Sequence, residues 1–264
     1  MHVLKNVYYG GKRRALTMSY DDGTIHDRRL AKTFDRWGIR GSFHLNSGWL
    51  DNPGHLTSDE LPEVFANHEI SLHSLTHPSL EYCPRETIIA QIMQDRANLE
   101  KAARYPVRGM SYPNGSYSAH VTQILRACGV VCSRTVAATH DFRLPEDFLV
   151  WHPTCHHNDH ALELLDTFLA RKHWGLDCFF LWGHSYEFDM KDNWELIEEF
   201  CRRAGGDEET WYATNIEIYD YIQALRALRC SADGHILQNP CSTDLWVTVD
   251  GEVVKVGAGQ TLVL

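Results

Sequence analysis

Short unbroken apolar runs alternate with stretches of helical period along most of this chain. Residues 15–20 are the first run, a buried strand entering the turn Asp21-Asp22-Gly23. Residues 27–37 have helical spacing, and Gly38 ends them. A second strand is expected at 41–45, and Ser58 stands where it would cap a helix over 59–67. Residues 69–72 form a third strand that delivers His73 at its C-terminal end. Pro84 opens the first turn of a long helix ending near Arg104. A short strand at 109–112 runs into Pro113-Asn114-Gly115, a helix covers 118–128, and 129–135 is a β-branched strand. Another strand is expected at 148–151 and a helix at 160–173. The apolar strand 178–182 leads to His184, and helices at 194–203 and 216–228 follow.

This alternation predicts a parallel α/β architecture, barrel-like rather than flat. Asp21, His73, Tyr112 and His184 all stand where strands end, and such folds build active sites at strand C-terminal ends. After about residue 232 the pattern changes. Residues 245–249 and 252–256 flank Asp250-Gly251, a hairpin turn signal, and Gly257-Ala258-Gly259 leads into a last strand. The expected organisation is a barrel over 1–232 and a small C-terminal β-hairpin appendage over 233–264. The chain shows no internal repeat and no low-complexity linker.

Composition narrows the partners. At 264 residues and 44% hydrophobic, the chain can bury a substantial core. A formal charge of -10 and the lack of any Lys/Arg run argue against nucleic acid or an anionic membrane. The eight cysteines include no CxxC pair and read as reduced core thiols. The N-terminus has no apolar leader-like segment, and no apolar run has transmembrane length. The expectation is a cytoplasmic protein, which argues against cell-wall polymer as its direct substrate.

The candidate chemistry is an ordered set: Asp21-Asp22-Gly23, then His73-Ser74-Leu75-Thr76-His77, then His184. A divalent cation binds imidazole and carboxylate, and a catalytic site keeps one position open for water. Asp22, His73 and His77 offer three ligands, with zinc the first choice and cobalt, nickel or manganese as alternatives. Pro78 disfavours helix at His77, so the two histidines belong to a strand end and the following turn. Asp21 is then free to act as base and His184 as acid. Taken alone, a DDG triplet is most often a surface turn, and HxxxH means little among 16 histidines. Their order, each after an apolar run, is what carries weight.

These residues resemble the polysaccharide deacetylases with the NodB homology domain, carbohydrate esterase family 4, over roughly residues 12 to 225. The family's TFDDG motif appears as Ser19-Tyr20-Asp21-Asp22-Gly23, its H[ST]xxH motif as His73 to His77, and its strand ending in histidine as 179–184. The resemblance implies a distorted (β/α) barrel and metal-dependent removal of acetyl groups from N- or O-acetylated saccharides. In that scheme metal-bound water attacks the acyl carbonyl, Asp21 is the base, Asp22 a ligand and His184 the acid.

Two departures stand out. The family's third motif supplies an arginine that holds the catalytic aspartate, and here Ser111 occupies its place. Arg108 and Arg134 are the substitutes, with Arg108 assigned to the catalytic set. Tyr112, Pro113, Asn114 and Trp182 are assigned to substrate contact. The fourth motif is not recognisable. The altered motifs motivate a second reading, an amide-ring hydrolase of the allantoinase or cyclic-imide kind. A third is a non-catalytic sugar-binding protein, against which the full set of five site residues weighs.

Overall fold

In the computed structural model, which describes residues 1–172 and 174–264, the apolar runs become strands of one parallel sheet. The strand order is Cys132–Arg134, Gly109–Ser111, Glu69–Leu72, Gly41–Leu45, Arg14–Asp21, Asp177–His184 and Cys155–His156, with Thr210–Tyr212 also paired to Arg14–Asp21. Arg14–Asp21 and Asp177–His184 pair along their whole length, which sets Asp21 beside His184.

The sheet must curl. Cys132–Arg134 lies four places from Arg14–Asp21, so a flat sheet would part them by roughly 19 Å. Yet Arg134 Nε donates to Ser19 Oγ at 2.9 Å, and its guanidinium pairs with Asp21. Residues 151–156 close the curl irregularly: Trp151 N–H donates to Ser133 O at 3.1 Å and Thr154 N–H to Phe180 O at 2.8 Å. The result is a distorted (β/α) barrel.

Alternation along the strands divides them into two faces. Thr17, Ser19, Asp21, Ser42, His44, Glu69, His73 and Ser111 share hydrogen bonds or ion pairs inside the curl. Leu16, Met18, Tyr20, Phe43, Leu45, Ile70, Leu72 and Met110 pack outward against the helices in the main core. The helix Asn215–Ala227, started by a Thr214/Glu217 capping box, plugs the barrel end opposite Asp21. There Asn215 N–H donates to Ser42 Oγ (2.8 Å) and Ile216 N–H to Glu69 Oε2 (3.0 Å).

Most expected elements form, but the strand expected at 129–135 keeps only Cys132–Arg134, and three others also differ. The helix expected at 59–67 shrinks to Leu61–Val64, because the Ser58 hydroxyl donates to Asp51 (2.7 Å) instead of capping. The strand expected at 148–151 is a 3-10 turn, Phe148–Val150, because Asp147 caps the Leu149 N–H at 3.0 Å. The helix expected at 160–173 is Ala161–Ala170, and its expected last residue lies outside the described residues.

The hairpin Leu245–Val249/Glu252–Val256 forms with Val249 opposite Glu252, and Val3–Leu4 adds an antiparallel edge to it. Leu245, Val247 and Val256 pack with Tyr221, Leu225, Phe180 and Trp151 in a second core. All eight cysteines are free thiols, five of them buried. Among the described residues, no helix is long and apolar enough to cross a membrane.

Candidate active site

Arg14–Asp21 ends in two successive carboxylates. Asp22 adopts a left-handed backbone (φ 82°), uncommon for a residue with a side chain. This turn keeps Asp21 inside the barrel while Asp22 faces three imidazoles. Asp22 Oδ1 lies 3.6 Å from His73 Nε2 and 3.8 Å from His77 Nε2, and Oδ2 lies 4.0 Å from His184 Nε2. Asp22 Oδ1 is buried without a hydrogen-bond partner. Burial, then the charge on Asp21, raise the Asp22 carboxyl above its ordinary range.

His73 is fixed in one tautomer by its surroundings. Its Nδ1 lies 2.9 Å from the Ser111 carbonyl, which can only accept, so Nδ1 carries the proton. The Nε2 lone pair then faces Asp22 and His77. Burial holds this imidazole down to about 3, so it is neutral. A ligating histidine is commonly oriented by such a carbonyl. Asp22, His73 and His77 offer ligand atoms all within 4.8 Å of one another. An unpartnered buried carboxylate oxygen and a lone pair aimed beside it fit a divalent cation.

Asp21 sits behind this group. Ser111 Oγ donates to Asp21 Oδ1 at 2.9 Å, and Arg134 donates to Oδ2. Burial alone would raise this carboxyl, but Arg134 and the imidazoles of His73, His44 and His184 hold it well below the carboxylate range. The guanidinium comes from the neighbouring strand at the same level, since Ser111 and Arg134 are register partners. The assignment of Arg108 is therefore corrected. Its side chain forms a two-bonded pair with Asp220 (3.0 and 2.5 Å) on the surface.

His184 is held by Glu187, three residues on, whose Oε1 lies 2.8 Å from His184 Nδ1. Burial would lower this imidazole, but Glu187, Asp21 and Asp22 outweigh it and raise it. Glu187 also lies 3.4 Å from His156 Nε2 and 3.2 Å from His157 Nε2, and accepts from Asn158 Nδ2 at 3.0 Å. His156, His157 and Glu187 have a spacing that could hold a cation. Their protons argue otherwise. His156 Nδ1 accepts the Asn158 backbone N–H (3.2 Å), so its Nε2 keeps the proton and points it at Glu187. Glu187, facing both imidazoles and bonded to His184 and Asn158, braces His184 from behind.

The expected substrate contacts divide. Tyr112 is buried, donates its hydroxyl to Leu149 O (2.7 Å) and its N–H to Arg134 O (3.0 Å), and so turns its side chain into the core rather than toward the site. Pro113 is buried too, and Asn114 donates to Ser79 Oγ at 3.1 Å. Trp182 does border the site: Arg134 lies 4.2 Å over its ring, and His156 and His184 pack edge-on against it. Trp49 beside His77 and Tyr186 beside His184 add two aromatic walls. Tyr186 and Glu187 follow His184 in the chain, which makes them candidates to shape a sugar pocket; the structure sets both against His184, and Glu187 holds its ring.

Fold and site together define a (β/α) barrel with a metal-type constellation at its strand ends. The polysaccharide deacetylase family model matches residues 9–133, which bears out the resemblance drawn from the motifs. A putative polysaccharide deacetylase from Mycobacterium smegmatis shares the fold at 15% identity, with a TM-score of 0.62 over 85% of this chain and 96% of that one. A mutant of a CE4 family pseudoenzyme from Bacillus anthracis aligns at 15% identity and TM-score 0.52, over 78% of this chain and 67% of that one. The Streptococcus pyogenes deacetylase PplD, solved in complex with acetate, aligns at 16% identity and TM-score 0.48. That alignment covers 51% of this chain and 61% of the deacetylase's own length. No curated protein matches the chain.

Proposed function

We propose that the protein is a metal-dependent hydrolase that removes acetyl groups from N- or O-acetylated saccharides. The observation that carries this reading is the orphaned Asp22 Oδ1 facing the Nε2 atoms of His73 and His77, with Asp21 and His184 alongside. Asp22, His73 and His77 would hold the cation, zinc being the first choice for this donor set. Bound there, it supplies Lewis-acid polarisation of the acyl group and activation of water.

The chain's own residues do the rest. Asp21, kept ionised by Arg134 and Ser111, is the proton acceptor. His184 gives its proton to the leaving nitrogen or oxygen, and Glu187 fixes the ring by taking Nδ1–H. Trp182, Trp49 and Tyr186 offer flat apolar faces to a sugar ring.

The test is acetate release from a panel of N- and O-acetylated mono- and oligosaccharides, with hydantoins and cyclic imides included. Zinc-loaded protein is expected to release acetate, and Asp21→Asn to lose about 100-fold or more in kcat. Ring opening without acetate release would replace this reading with the amide-ring hydrolase. Silence on every substrate would leave the non-catalytic reading.

A further inference from the structure

The loop that carries His73 and His77 has an unusual backbone. Ser74 (φ 65°) and His77 (φ 61°) are both left-handed, though neither is glycine. Such a loop keeps its shape only if its surroundings impose it. Two buried side chains from outside the metal motif do so. Asn46, fully buried just after the strand Gly41–Leu45, donates from one amide nitrogen to His73 O (2.6 Å) and Ser74 O (2.8 Å). Asp95, fully buried in the middle of the helix Arg85–Ala103, works on the other side. Its Oδ1 accepts Ser47 N–H at 2.8 Å, which ties down the residue after Asn46. Its Oδ2 lies 3.3 Å from His73 N, sharing that N–H with Leu45 O at 3.0 Å. One helical turn earlier, Gln91 accepts Thr76 N–H at 2.9 Å and donates to Thr76 Oγ1 at 2.8 Å.

A buried aspartate in mid-helix is costly unless its oxygens are paired. Here both are, and both partners belong to the segments flanking the His73 strand end. We propose that Asn46 and Asp95 are positioning residues that clamp the His73 backbone, and through it the metal-facing Nε2, in the geometry the cation requires. This rests on the metal reading given above. Neither residue touches the cation or the substrate; both act through the His73 main chain.

Two same-shape substitutions test the clamp, because each reverses hydrogen-bond sense without changing volume. Asn46→Asp puts an acceptor against two carbonyl oxygens. Asp95→Asn leaves one acceptor for two N–H donors. Hydrogen exchange of the 73–77 amides is measured first in metal-free protein, and zinc affinity by chelator competition second. Exchange is expected to speed up in both variants. Zinc affinity is expected to fall 10–100-fold, the range seen when an outer-shell partner of a metal ligand is lost. Turnover should fall with metal occupancy, recover with excess zinc, and leave KM unchanged. Folded variants with unaltered loop exchange, or with zinc affinity within about 2-fold of wild type, overturn the clamp. Wild-type protein that takes up no zinc overturns the metal reading instead, and the exchange measurement still decides the clamp.

Discussion

Two arginines competed for one task, and the outcome turns on where each side chain meets its partner. Arg134 is buried against Asp21, whereas Arg108 and Asp220 form a half-exposed surface pair. Removing one partner of a buried pair strands the other charge, at about 3–5 kcal/mol. Arg134→Ala is therefore expected to lose that much in urea denaturation and to lose acetate release. Arg108→Ala should stay within about 1 kcal/mol with activity intact. The sign with pH also follows. Asp21 is held below its ordinary range, so its stabilisation is present above the usual carboxylate pKa and is lost on acidification below it. In Arg134→Ala that acid sensitivity should weaken. Equal losses from the two arginine variants would refute the assignment. Asp21, Asp22, His73, His77 and His184 were legible in the chain because each closes or follows an apolar run. Arg134 was legible only as one of two options, since choosing it needs the register Ser111↔Arg134 and the curl of the sheet.

At the scale of elements, local signals served well where one rule acted alone. The strands Gly41–Leu45 and Glu69–Leu72 and the 245–256 hairpin form with the expected limits. They fail where a polar side chain takes a backbone group, as Asp147 does at Leu149. The polar lining of the barrel was invisible for a related reason, since strands buried on both faces hide which residues point inward. Glu69 shows what that lining costs. Gly109 makes room for it, since a Cβ there would lie 2.4 Å from Glu69 Oε1. Its other oxygen accepts Ser42 Oγ (2.6 Å) and the Ile216 N–H at the start of the helix Asn215–Ala227. Burial pushes this carboxyl from 4.5 up to about 7. A raised acid imposes no penalty below its unfolded pKa and the full penalty above its folded one. Stability relative to Glu69→Gln should therefore fall by on the order of 3 kcal/mol between about pH 4.5 and 7. The glutamine carbonyl keeps both accepted bonds. Denaturation of both proteins across that range checks it, and parallel curves would rule it out.

For the molecule as a whole, what sets the site apart is a buried carboxylate oxygen left unpartnered among imidazoles. Asp21 is neutralised by Arg134, brought across the curl from a strand four places away, Glu187 faces three imidazoles, and Asp22 Oδ1 has no partner. A ligand that completes only the folded state stabilises it by mass action, about 2.7 kcal/mol at 100 times its Kd. For a domain of this size each kcal/mol moves the melting point by roughly 2–4 °C. Zinc at that excess is therefore expected to raise Tm by roughly 5–10 °C, with one equivalent bound. Asp22→Asn should abolish the shift, because it removes the orphaned oxygen's charge. His156→Ala should keep both the shift and the single equivalent, because its Nε2 proton faces Glu187 and offers no lone pair. Two equivalents in wild type falling to one in His156→Ala would mean that the second histidine cluster binds metal and that its tautomer was assigned wrongly. No shift in wild type would mean that Asp22, His73 and His77 converge for a purely structural reason.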